Sequence, residues 1–201
     1  FKDLEKKYKG LSFTTIMNQG DYINIIIKSV LSSILLGAVL AIIVLALFLK
    51  DIRPTIVVAF SIPFSVLFAI IIMYFTGINI NVMSLAGLCL GVGMLVDNSI
   101  VVMENIYRFR NEGMSASKAA VRGTAQVAGP ILASTITTIC VFLPMVYTSG
   151  MVSQLLMPFA FTISYALIAS LLVALTVVPT MGSVLLRKTK DVKQPWFDKI
   201  K

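Results

Sequence analysis

From Gly123 to Leu186 the sequence carries no charged residue. A helix crosses the hydrocarbon core of a bilayer with about 20 apolar residues, so this run is too long for one crossing. Pro144 and Thr148-Ser149-Gly150 supply turn chemistry near its middle and divide it in two. Two more uncharged runs precede it, at 30–49 and 54–76. A water-soluble core does not need such runs. Charged residues make up 13% of the chain, against about 25% in a soluble domain. The sequence therefore predicts an all-α membrane protein with about five transmembrane helices.

The expected spans are 30–49, 54–76, 82–107, 127–147 and 158–186. Lys50, Asp51 and Arg53 end the first, and Pro54 opens the second at a favoured first-turn position. Pro63 is expected to kink the second. Ser115–Arg122 is read as a short surface helix ahead of the fourth span. Residues 1–29 are the one stretch read as water-exposed and folded. Within them Leu11–Met17 has strand composition, Asn18-Gln19-Gly20-Asp21 is a turn, and Asp21 is expected to cap a helix starting near Tyr22. The start is mixed in charge without an apolar run directly behind it, unlike a signal peptide, and it reads as the middle of a longer protein. A basic tail at 188–201 follows the last span, with Pro195-Trp196-Phe197 suited to the membrane interface.

The net charge of +8 does not point to nucleic acid, because the basic residues flank the apolar spans. There they act as topology signals. Segments 50–53, 108–125 and the tail are basic, whereas the links at 77–81 and 148–154 are uncharged. The positive-inside rule puts the basic segments in the cytoplasm, the N-terminus outside and the C-terminus inside. The chain contains no histidine, and Cys89 and Cys140 both lie in apolar runs. No metal site, cofactor or disulfide framework is expected from that set. A Ser-His-Asp hydrolase is excluded for the same reason.

Asp97 is the one carboxylate deep inside a predicted span. Insertion scales put the cost of an Asp at mid-bilayer at roughly 2.5–3.5 kcal/mol, and such residues face the bundle interior or a hydrated cavity, where they carry protons or ions. No lysine or arginine in this sequence reaches the same depth, so its partner is expected in a part of the protein outside it. Asn98 and Ser99 adjoin Asp97 and are candidates to hydrogen-bond its carboxyl group. Glu104 lies seven residues further on, on nearly the same helix face, as a candidate second relay group near the surface. Gly87, Gly91 and Gly93 are read as helix-packing glycines that allow close approach of a neighbour. A phosphate-binding glycine loop is the rival reading, but no Lys-Ser/Thr follows. Intramembrane aspartyl proteolysis needs two carboxylates sharing a proton, and here there is one. The chain is not expected to be an enzyme.

The stretch Gly91-Val92-Gly93-Met94-Leu95-Val96-Asp97-Asn98-Ser99, continuing to Glu104-Asn105, resembles the fourth transmembrane helix of resistance-nodulation-division (RND) efflux pumps of the hydrophobe/amphiphile type. Lys50-Asp51-Ile52-Arg53-Pro54 resembles their turn between helices two and three, and Gly77-Ile78-Asn79-Ile80-Asn81 the outer turn before the fourth. Phe142-Leu143-Pro144-Met145 resembles the outer end of the fifth, and Pro195-Trp196-Phe197 the start of the amphipathic helix between the two halves. The resemblance implies the second to sixth helices of the first repeat, with residues 1–29 the end of an external porter domain. It also implies a homotrimer when full length, protons as the driving ion, and hydrophobic or amphiphilic small molecules as cargo. Asp97 maps to the proton-relay carboxylate, whose lysine partner belongs to the second half. Many drug pumps have two adjacent Asp residues here; Asp97-Asn98 is similar to pumps of Gram-positive bacteria. A non-transporting or protein-export accessory protein of the same superfamily is the alternative.

Overall fold

A computed structural model describes residues 19–49 and 52–188 of the chain. Among the described residues five α-helices follow one another: α1 (Gln19–Leu49), α2 (Ile52–Thr76), α3 (Val82–Asn111), α4 (Ala116–Val146) and α5 (Met151–Leu185). A short 3-10 turn, Leu186–Lys188, closes the series. There is no strand among the described residues. The expected strand at Leu11–Met17 and the interfacial Pro195-Trp196-Phe197 lie outside them. Helices α2 to α5 are each long and apolar enough to cross a membrane.

The links between helices are short and built from local hydrogen bonds. Helix α2 stops at Gly77, whose φ of +71° is costly for a residue with a Cβ. The Ile78 N–H then donates to the Met73 carbonyl, and so satisfies an acceptor at the helix end. Asn81 starts α3 with a capping box. Its side-chain oxygen accepts from the Ser84 N–H at 2.9 Å, and Ser84 Oγ accepts from the Asn81 N–H at 2.8 Å. Between α3 and α4 the chain reverses through Gly113, at φ +92°.

The helix boundaries differ from those expected at three places. Ser115–Arg122 is not a separate surface helix: α4 begins at Ala116 and runs unbroken to Val146. Lys118 and Arg122 end the apolar run but, like Ala116, Ala119 and Ala120, are good helix formers, and the three alanines are buried. Helix α5 likewise begins at Met151 rather than at Pro158, which lies inside it. Asp21 does not cap a helix that starts after it; it lies in the first turn of α1.

Helix α5 is the centre of the bundle, packed against α2, α3 and α4. It presents small residues, among them Ala160, Ala166, Ala169, Ser170 and Ala174, all buried. In lipid no hydrophobic force drives helices together, so close backbone approach and van der Waals contact hold them. The core they enclose draws Val57, Val58 and Ile62 from α2, Leu95, Val102, Met103 and Ile106 from α3, and Val178 from α5. Helix α1 lies against α2 and α3.

Candidate functional site

Helix α3 has two faces of different character. One is buried: Gly87, Leu88, Gly91, Leu95, Ser99, Val102 and Ile106 point into the bundle. On the other, Ala86, Leu90, Gly93, Asp97, Val101, Glu104 and Arg108 recur every three or four residues and are all exposed. Asp97 sits at the middle of this 30-residue helix, about 22 Å from either end at 1.5 Å per residue. Its carboxyl group has no hydrogen-bond or ion-pair partner among the described residues. It projects from an otherwise apolar stretch of stripe, Leu90 to Val101, with only Gly93 between. Glu104 follows on the same stripe two turns nearer the α3–α4 link, also exposed and without an ion pair among the described residues.

The neighbours of Asp97 turn away from it. Asn98 Nδ2 donates to Thr135 Oγ1 on α4 and to Ser170 Oγ on α5, each at 3.4 Å. Ser170 Oγ in turn donates to the Leu95 carbonyl at 2.8 Å. A polar layer thus joins α3, α4 and α5 at the depth of Asp97. Ser99 is fully buried, and its Oγ has no hydrogen-bond partner among the described residues. Asn98 and Ser99 therefore do not support the Asp97 carboxyl group directly, as adjacency in the sequence had suggested. Successive helical residues are turned by about 100°, which carries Asn98 and then Ser99 off the Asp97 face. Thr135 and Ser170 are the members that sequence reasoning missed. Their one signal was a hydroxyl in mid-span, a common residue in membrane helices.

The three glycines divide in the same way. A Cβ at Gly87 would stand 2.8 Å from the Phe159 carbonyl oxygen, and one at Gly91 would stand 2.7 Å from the Ala166 Cβ. Both sit where α3 meets α5, a spacing that only glycine permits. Gly93 does not belong with them. It lies on the open stripe one turn from Asp97, with nothing among the described residues within 4 Å of a Cβ built there.

Beyond Glu104 a second polar group fixes the end of the bundle. Asn105 Nδ2 donates to the Gly123 carbonyl at 2.7 Å and to Gln126 Oε1 at 3.1 Å, and Arg108 Nη2 reaches the same Gln126 oxygen at 2.9 Å. Arg108 also pairs with Glu112, Nε to Oε1 3.8 Å. Arg110 donates to the Leu186 and Met114 carbonyls, tying the end of α5 to the α3–α4 link. Among the described residues no three His, Cys, Asp or Glu side chains come together to hold a metal ion. Cys89 and Cys140 are both free.

A membrane-length helix with one bare mid-depth carboxylate, backed by a close-packed glycine face, is a specific arrangement. A family model described as the AcrB/AcrD/AcrF family matches residues 3–200. The chain belongs to this family, a group of RND efflux proteins. It is 36% identical over 191 residues to the swarming motility protein SwrC of Bacillus subtilis (strain 168), covering 94% of this chain and 18% of SwrC. It is 37% identical over 168 residues to the multidrug resistance protein MdtC of Escherichia coli (strain K12), covering 84% of this chain and 16% of MdtC. Among solved structures, a crystal structure of a heavy metal efflux pump superposes with a TM-score of 0.72 at 33% identity. That match covers 89% of this chain and 18% of the pump. The chain thus spans less than a fifth of the length of the relatives it matches, and it is a multi-pass membrane segment of an AcrB/AcrD/AcrF-type protein.

Proposed function

We propose that this chain is the proton-carrying part of a proton-driven exporter, and that Asp97 is the residue that takes up and releases the proton. The observation that carries the reading is the Asp97 carboxyl group, at mid-depth on a bare helix face and without a partner among the described residues. A lone carboxylate is stable there only if it is neutral or if it meets a cation. Alternation between those two states is what couples a proton to a change in helix packing. The cation would come from the rest of the protein, docked on the Leu90–Asp97–Glu104 stripe. Asp97→Asn keeps the shape and removes the proton-carrying group. Measured in cells as resistance and in proteoliposomes as proton uptake, it should abolish coupled export and leave membrane insertion intact. Normal proton uptake in that variant would remove the idea.

The relatives bear different names, for multidrug resistance, swarming motility and heavy metal efflux. Cargo selection is accordingly assigned to the remainder of the protein, and hydrophobic or amphiphilic small molecules are the proposed cargo, with the MdtC likeness in support. The intact protein is read as a homotrimer in the cell membrane. Its N-terminal end faces outward and its C-terminal end the cytoplasm, in keeping with the basic residues at 108–122 and 187–190.

A further inference from the structure

A second feature lies at the other end of the charge pattern, at the start of α4. A shallow cleft of about 750 Å³ opens beside the α3–α4 link, lined by residues that include Ser115, Ser117, Lys118, Val121 and Arg122. Lys118 and Arg122 are one helical turn apart and exposed, and neither has an ion pair or hydrogen bond among the described residues. The nearest acid in sequence, Glu112, is already engaged by Arg108. Below the two cations the same face of α4 continues through Ala125, Gly129, Leu132 and Ile136, all exposed. Gly129 has open space where a side chain would be. The face therefore reads downward as two unneutralised charges, a notch of small residues, and branched aliphatic side chains.

The depth of these groups fits one kind of ligand. Helix α4 has 31 residues, about 46 Å at 1.5 Å per residue. The hydrocarbon core is only about 30 Å thick, so the charged end stands in the headgroup layer. The uncharged run begins after Arg122, which sets the cations at phosphate level and the notch at the level where acyl chains begin. We propose that Lys118, Arg122 and the Ala125–Gly129 notch form a seat for one anionic phospholipid. The two cations hold its phosphate, and an acyl chain lies along Gly129 toward Ile136. A soluble anion would use the cations and gain nothing from the apolar stripe. A zwitterionic lipid would use the stripe and gain little from the cations.

Native mass spectrometry of the intact protein, titrated with phosphatidylglycerol or phosphatidylcholine, tests this. The wild type should retain phosphatidylglycerol well above phosphatidylcholine. K118Q/R122Q should weaken phosphatidylglycerol binding by about twenty-fivefold, at about fivefold for each cation facing an anionic surface. G129L fills the notch without touching the charge, and it should also lower retention severalfold. K28Q removes an exposed cation on α1, which packs against α2 and α3, and should change nothing. Equal retention of the two lipids, unchanged binding in K118Q/R122Q, or displacement of phosphatidylglycerol by millimolar inorganic phosphate would each overturn the proposal. So would no retained lipid in the wild type, which would mean that protein covers this face.

Discussion

Asp97 stood out in the sequence because charge is scarce here: one carboxylate in a long apolar run costs enough to be noticed, and it sits at the middle of α3. The residues around it were not legible in the same way. Many hydroxyls in these helices bond their own backbone, as Thr137 does to the Ala133 carbonyl and Thr176 to the Leu172 carbonyl. Nothing in the sequence separates Thr135 and Ser170, which bond across helices, from those that do not. The difference is helix rotation, which tertiary packing sets. Ser170→Ala removes the hydroxyl that bridges Asn98 to the Leu95 carbonyl. Interhelical hydrogen bonds in membranes average only about 0.6 kcal/mol. The expected outcome is a small loss of thermal stability in detergent and, on the proposed role of Asp97, a larger loss of proton-coupled export by the intact protein. Equal transport by the variant would show that the polar layer is packing alone.

At the scale of the element, the glycines separate two interfaces. Gly91→Leu forces a side chain against Ala166, 2.7 Å from where its Cβ would lie. Overpacking of this kind costs about 1–3 kcal/mol, so the midpoint of thermal unfolding in detergent should fall by several degrees. Gly123→Ala should be as damaging, since the added Cβ would stand 2.8 Å from the Ile106 Cα, a backbone atom that cannot step aside. Gly93→Ala is the contrast. With open space around it, the purified chain should be unharmed or stabilised by up to about 1 kcal/mol through better helix propensity. The spacing of glycines identified a packed helix but not which of them packs: Gly87 and Gly91 are four apart and share a face, whereas Gly93 falls on the other side. Helix existence was set by the uncharged runs. Helix ends were not, because hydrogen bonding continues through Lys118 and Arg122 where apolarity stops.

At the scale of the molecule, orientation follows from the basic segments. If the basic ends face the cytoplasm, a cysteine at Ser117 in a C89A/C140S background should resist an impermeant thiol reagent in intact cells. One at Ser149, in the α4–α5 link, should react; the reversed pattern would overturn the assigned topology. The bare stripe of α3 bears on coupling. Moving one charge through 100 mV supplies about 2.3 kcal/mol, enough to shift a two-state equilibrium by nearly fiftyfold. It does so only where the two states differ in their affinity for the proton. Within this chain nothing described approaches Asp97 to create that difference. The chain reconstituted alone should therefore dissipate no proton gradient and export no dye, while co-expression with the rest of the protein should restore both. Gly93→Leu reports on the same docking: harmless to the stability of the chain alone, it should block restoration, because a bulky side chain one turn from Asp97 holds the second half away. Dye export by the chain alone, or full restoration with Gly93→Leu, would place the proton coupling somewhere other than this face.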